Sequence, residues 1–212
     1  MQNCPVKLFL FVFLFCSVAA RAQVRIFGGS QITTANYSIR NAVQTTESKI
    51  GFLGGIGLTN LIEGPLYFSP SLYYSQKGYK VSFNRPANPP DSAALNNNTS
   101  INTISFTPQL QWNFSDNKRH FFVRLGPALD VAINGREVFD SSGGKPVDRS
   151  MLFSPVGYSP ITASANVQFG FAQKRGFGFF AFYEHGLSSL NNKDMGPIIL
   201  HRIGGVAIEW SF

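Results

Sequence analysis

The chain has 212 residues, a length that fits about one domain, and a formal net charge of +7. Charged residues are 14% and aromatics, led by 21 Phe, also 14%, whereas an ordinary soluble domain is roughly 25% charged. So low a charge excludes an ordinary water-bathed surface. The scattered basic residues, among them Lys77, Lys80, Lys118, Arg119, Lys174 and Arg175, form no basic helix or arginine-rich run that would serve a nucleic acid, and suit a membrane surface better.

Residues 1–22 read as an export signal. MQNCPVK carries the terminal amine and Lys7, and the apolar run LFLFVFLFCSV, 11 residues, is too short to cross a bilayer as a helix. Ala20-Arg21-Ala22 gives a small-x-small pattern ahead of a cut before Gln23, with a cut after Ala20 as the alternative. Phe15 stands before Cys16, where a lipidated cysteine usually follows a small residue. Cys4 and Cys16 both lie in this segment, so the domain expected over 23–212 has no thiol, disulfide or cysteine metal site.

No later apolar run approaches the roughly 20 residues of a transmembrane helix. The rest reads as eight strands, at about 25–36, 49–61, 66–83, 101–115, 120–138, 161–173, 177–189 and 198–212. The first two and the seventh are rich in glycine, and their facing is open. In the fourth, TISFTPQLQWNF places Ile104, Phe106, Pro108, Leu110, Trp112 and Phe114 on one face and only hydroxyls and amides on the other. The fifth sets Phe121, Val123, Leu125, Pro127, Leu129, Val131 and Ile133 against Phe122, Arg124, Gly126, Ala128, Asp130, Ala132 and Asn134. The sixth alternates likewise from Ile161 to Phe171, and the eighth sets Val206, Ile208, Trp210 and Phe212 against Gly205, Ala207, Glu209 and Ser211. Pro108 and Pro127 each remove a ladder donor, so local bulges are expected there.

The connections alternate in length. Glu63-Gly64-Pro65, Asp116-Asn117-Lys118-Arg119 and Lys174-Arg175-Gly176 are tight turns, whereas 37–48, 84–100, 139–160 and 190–197 are long and polar. Beside the tight turns gather Tyr67, Phe68, Trp112, Phe114, Phe121, Phe171, Phe177 and Trp210, with Phe122, Phe179 and Phe212 near them. Such a ring is the aromatic girdle of a membrane interface, and Tyr73, Tyr74 and Tyr79 are candidates for the opposite one. The expected fold is therefore all-β: an eight-stranded antiparallel up-and-down transmembrane β-barrel with short periplasmic turns and long extracellular loops. Its apolar faces meet lipid and its amide and hydroxyl faces line a narrow lumen. A soluble barrel would turn the pattern inside out and carry Lys and Glu on the polar face.

The ending GGVAIEWSF and the segment FYEHGLSSLNN, 182–192, resemble the corresponding stretches of small outer-membrane β-barrel proteins of Bacteroidota, the porin-like or PorT-like barrels. His185 and Ser188-Ser189 depart from that pattern. The resemblance implies an integral outer-membrane barrel, usually without a defined activity. It also implies that Val206, Ile208, Trp210 and Phe212 form the signal read by the barrel assembly machinery during insertion.

Three placements could carry chemistry. Arg124, Asp130 and Glu209, with Glu184 as a fourth candidate, fall on polar faces: a salt-bridged filling of the lumen, or the lining of a narrow channel or transport accessory. His185 and His201, near Ser188, Ser189 and Glu184, loosely resemble the set of outer-membrane lipid A deacylases, the alternative of a lipid-modifying enzyme. The long loops 84–100 and 139–160 mix charge with apolar Met151, Leu152, Phe153 and Tyr158, and could bind an extracellular protein or glycan. No phosphate-binding glycine motif, metal-ligand cluster or cofactor signature appears. The expectation is a barrel with a structural, adhesive or partner-binding role, embedded in outer-membrane lipids, with no catalysis and no cofactor.

Overall fold

The computed structural model describes residues 23–155, 157–173 and 176–212. The export signal, with Ala20 and Ala22, lies outside the described residues, and Gln23 is the first residue of the first strand. Twelve strand segments follow in chain order: β1 (Gln23–Ile39), β2 (Ala42–Val43), β3 (Thr45–Glu63), β4 (Leu66–Phe68), β5 (Ser71–Ser82), β6 (Asn96–Thr107), β7 (Leu110–Asn113), β8 (His120–Asp140), β9 (Pro146–Ser150), β10 (Ile161–Ala172), β11 (Phe177–Gly186) and β12 (Ile198–Ser211). Eight of them form a closed antiparallel ring, β1-β3-β5-β6-β8-β10-β11-β12, completed where β12 pairs back onto β1 from Arg25↔Ser211 to Ser38↔Ile198. The short β4 and β7 continue β5 and β6 toward the tight-turn end, and β9 folds back on β8 at the long-loop end.

Alternation decides which way each side chain points. On β6 and β7, Thr103, Ser105, Thr107, Gln109 and Gln111 are buried inside, whereas Ile104, Phe106, Leu110 and Trp112 are exposed on the outer wall. The same apolar exterior continues through Leu125, Leu129 and Val131 on β8, Phe169 on β10, Phe179 on β11 and Val206 and Ile208 on β12. A wall this apolar all round is made for hydrocarbon. Ten residue steps from Ile104 to Phe114, at about 3.3 Å each and tilted by roughly 40°, cover about 25 Å, the height of a barrel's lipid-facing band. No described helix is long and apolar enough to cross a membrane; the strands do so.

The tight-turn girdle is an outward ring of Phe68, Trp112, Phe114, Phe121, Phe171, Phe177, Phe179 and Trp210, with Phe121 against Phe171 at 4.9 Å and Phe177 against Trp210 at 6.5 Å between ring centroids. Tyr67 departs from expectation: it is in register with Gln111, whose side chain is buried inside, and so takes the inner face. Tyr73 and Tyr79 also point inward and are buried, leaving Tyr74 outside beside Phe52. Both tyrosines share the phase of Ser71, Ser75 and Lys77 on β5.

The strands run further than their apolar alternation. β1 reaches Ile39, β3 starts at Thr45, β6 starts at Asn96 and β8 runs to Asp140. Above the membrane both faces of a strand can be polar, so the period-two signal fades while the ladder continues. Of the two expected loops, 84–100 thereby loses its last five residues to β6, and 139–160 contains the β9 hairpin. The seventh strand, in contrast, stops at Gly186.

The prolines make no bulge. Phe106↔Leu129 and Leu110↔Leu125 keep one register, which sets Pro108 opposite Pro127, so both missing donors fall in a single gap of the ladder. Bulges occur instead near Ser48/Leu53, Leu61/Glu63 and Asn102/Thr103. The last inserts Ile133 into β8 and reverses its facing above that point. Asn134 is therefore exposed rather than luminal, and Glu137 and Phe139 turn inward.

Candidate functional site

The interior is filled in layers. At the tight-turn end Arg124 grips Glu209 with both terminal nitrogens, Nη1 to Oε2 at 2.9 Å and Nη2 to Oε1 at 3.0 Å, and donates Nε to Gln111 Oε1 at 2.7 Å. Arg25 reaches the same carboxylate at 3.3 Å and donates to Ser71 Oγ at 2.6 Å. The two guanidiniums also lie over aromatic faces, Arg124 at 4.1 Å from Phe122 and Arg25 at 5.6 Å from Phe27. Next comes a layer of Phe27, Leu53, Tyr73, Phe122, Phe180 and Phe182.

Near mid-barrel, Lys77 Nζ bridges Asp130 Oδ2 at 2.8 Å and Glu184 Oε2 at 3.0 Å. The remaining carboxylate oxygens are also satisfied: Ser105 Oγ donates to Asp130 at 2.5 Å, and Tyr73 OH and Asn166 Nδ2 donate to Glu184 at 2.6 and 2.8 Å. The lower cluster carries one net positive charge and the upper one net negative charge. Each charge has partners, as burial in a low-dielectric interior demands.

Of the expected interior residues, Arg124, Asp130, Glu184 and Glu209 all lie inside, in these two clusters. Arg25 and Lys77 join them unanticipated: β1 is too glycine-rich to show its facing, and Lys77 stands between tyrosines on both faces of β5. Lys77 is 5% exposed, so it is not one of the surface cations.

The long-loop end is closed by a cap. Tyr37, Ile39, Tyr79, Val81, Ile101 and Ile199 from the strands pack against Ala87, Met151, Tyr158 and Leu190 from three different loops. Polar contacts lock the cap. Buried Glu137 accepts from Tyr158 OH at 2.6 Å and from Arg149 Nε at 2.7 Å, Arg149 Nη2 donates to Pro90 O at 2.7 Å, and Tyr37 OH donates to Pro89 O at 3.0 Å. Burial first, then nearby Tyr79 and Glu137, holds the Tyr158 phenol well above its usual range, so it stays a donor. Above the cap the β8–β9 hairpin is clasped by Arg136 and Asp148, both exposed.

The two histidines of interest face opposite sides of the wall. His201 is buried inside, whereas His185 is on the outside, with Nδ1 at 3.3 Å from Tyr183 OH. Ser188 Oγ accepts from Ala163 N at 2.7 Å, and Ser189 Oγ accepts from Asn191 N at 3.1 Å and Ile199 N at 3.0 Å. Both hydroxyl oxygens accept from backbone, and neither hydroxyl is hydrogen-bonded to a histidine among the described residues. No cluster of three or more His, Cys, Asp or Glu suited to a metal occurs among them either. Val206, Ile208, Trp210 and Phe212 all lie on the outer wall, and Phe212 N donates to Val24 O at 2.9 Å.

The sequence profile described as "Outer membrane protein beta-barrel domain" matches residues 6–192. Among solved structures, the chain is similar to Ail, the attachment invasion locus protein of Yersinia pestis, in complex with the heparin analogue sucrose octasulfate. That match has 13% identity and a TM-score of 0.47, and covers 91% of this chain and 99% of that one. Neisserial surface protein A is similar at 12% identity and a TM-score of 0.42, covering 88% and 97%. The translocator domain of the autotransporter NalP from Neisseria meningitidis is similar at 8% identity and a TM-score of 0.27, covering 97% and 96%. No curated protein sequence matches.

Proposed function

The chain belongs to the outer membrane protein beta-barrel domain family and is an integral outer-membrane barrel; from that premise we propose that it is a non-catalytic barrel whose long loops form an extracellular binding surface for a protein or glycan. The observation that carries this reading is the folded cap: three loops pack over the barrel around buried Glu137, which accepts from Tyr158 and Arg149, with Arg149 and Tyr37 donating to Pro90 O and Pro89 O of the second loop and Ser159 N to Leu190 O of the third. An ordered loop platform on a rigid frame is what recognition requires. The filled interior favours this reading over a channel, and the placement of His201 inside and His185 outside, with neither serine hydrogen-bonded to a histidine among the described residues, favours it over a lipid-modifying enzyme. The short turns then lie in the periplasm. Residues 1–22 are a signal removed ahead of Gln23, and the finer placement is among the porin-like or PorT-like barrels of Bacteroidota.

Two measurements test the surface. Protease added to intact cells should cut within 141–160 and spare the strands; cleavage seen only after the outer membrane is permeabilised would reverse the orientation. Cells whose 141–155 segment is replaced by a short Gly-Ser turn should lose binding to a panel of immobilised glycans and matrix proteins, and equal binding with and without the loop would reject it as the recognition surface.

The outward row ending in Phe212 is, on this reading, the mark read by the assembly machinery. Deleting Phe212 should lower the amount of protein in the outer membrane while leaving refolding from urea into micelles unchanged. Equal loss in both would make Phe212 an ordinary girdle residue.

A further inference from the structure

The outer wall changes character partway up β6. Ile104 and Phe106 are apolar, whereas Asn96, Asn98, Ser100 and Asn102, in the same outward phase, are amides and a hydroxyl. The neighbouring strands change at the same level. Gln76, Gly78 and Lys80 of β5 stand opposite Asn102, Ser100 and Asn98, and Asn134 and Arg136 of β8 stand opposite Asn102 and Ser100. This boundary is the upper edge of the lipid-facing band, and the polar surface above it faces sideways, toward whatever stands beside the barrel.

Two lysines are brought together there. The bulge of β3 between Ser48 and Leu53 sets Lys49 on the outer wall, with its stem crossing over Gly78. Its Nζ donates to Asn98 Oδ1 at 2.7 Å, Thr99 O at 2.9 Å and Ser100 Oγ at 2.6 Å, all neutral acceptors, so its charge is uncompensated. Lys80 stands beside it, 3.5 Å from Glu47, and both side chains of that pair are more than half exposed, so the carboxylate offsets little. The same wall holds a concavity of about 400 Å³ lined by Thr45, Glu47, Lys80, Ser82, Asn98 and Asp140 among others.

We propose that this wall binds the phosphorylated sugar headgroup of an outer-leaflet glycolipid. Lys80 supplies the direct phosphate contact, and Lys49, whose donors are already held, adds a second positive charge behind Asn98. Thr45, Ser82 and Asn98 offer donors and acceptors to sugar hydroxyls, and Glu47 and Asp140 accept from them. The acyl chains then lie against Ile50 and Phe52 of β3 and, below the polar Ser100 and Asn102, against Ile104 and Phe106. That continuity between a polar niche and an apolar wall selects a membrane-anchored headgroup over a soluble anion. The inference rests on the outward orientation of the long loops.

The test uses the full barrel in phosphatidylcholine nanodiscs containing lipid A, with bound lipid read by native mass spectrometry. The wild type should retain lipid A with about tenfold preference over phosphatidylglycerol, and the double variant Lys49→Gln/Lys80→Gln should lose roughly that preference. Arg202→Gln removes an outward charge from β12, across the ring from β6, and should change nothing. Mobility of boiled and unboiled samples verifies that each variant is folded. Equal retention by the double variant, or equal loss in Arg202→Gln, overturns the proposal. Displacement by millimolar inorganic phosphate, roughly the range of weak anion binding, would assign the niche to a free anion and overturn it too. Nanodiscs expose both ends of the barrel, so this result reads the wall's chemistry, while protease on intact cells reads the orientation separately.

Discussion

Glu209 is the residue on which the lower interior depends. It alone among the cluster's side chains answers two guanidiniums, Arg25 and Arg124, and all three side chains are 4% exposed or less. Glu209→Gln keeps the shape but leaves two like charges facing each other, and breaking a buried pair in this way costs about 3–5 kcal/mol. Urea titration of the micelle-refolded protein should show a loss of that order. A change no larger than that of an exposed substitution would mean that water, not the carboxylate, compensates the arginines. Glu209 and Arg124 are legible in the sequence because each falls on the polar face opposite an unbroken apolar row. Arg25 is not, because Phe27, Gly28, Gly29 and Ser30 around it give no phase, and only pairing with β3 and β12 supplies one.

At the scale of the strands, β8 passes close to its neighbour beside the Pro108–Pro127 gap. A Cβ on Gly126 would land on the Pro108 carbonyl oxygen and the Gln109 Cα. Gly126→Ala should therefore destabilise the barrel by about 1–3 kcal/mol, the usual cost of overpacking, measured in the same titration. No loss would show that the two strands can part at the prolines. By contrast, Gly64 sits in its tight turn at a φ of +51° with open space around it, so there only backbone conformation favours glycine. Proline in a strand signals a missing donor, but the sequence does not say that two such residues face each other. That depends on register, which is a property of the pair of strands.

For the whole molecule, on the proposed function, the side chains packed inside the barrel and the cap block ion flow. Planar-bilayer recordings of the folded protein should show no channel steps, and reproducible steps would restore the channel reading. The barrel itself could be read from one chain without any partner: period-two alternation, inner faces rich in amides and hydroxyls, a paucity of charge and turns of unequal length each reflect a physical demand of the bilayer on a single strand. The cap, the pairing within the two ion clusters with Arg25 and Lys77 in them, and the extended strands above the membrane could not. Tyr37 meets Pro89 across 52 positions of chain and Tyr158 meets Glu137 across 21. The bulge at Ile133 reverses the facing of everything beyond it in β8, and loops made of Asn, Ser, Pro and Gly carry no period at all. Local chemistry thus determined that this chain spans a membrane as strands. Closure of the ring decided which charges meet, because meeting is set by register and shear across eight strands rather than by order along any one of them.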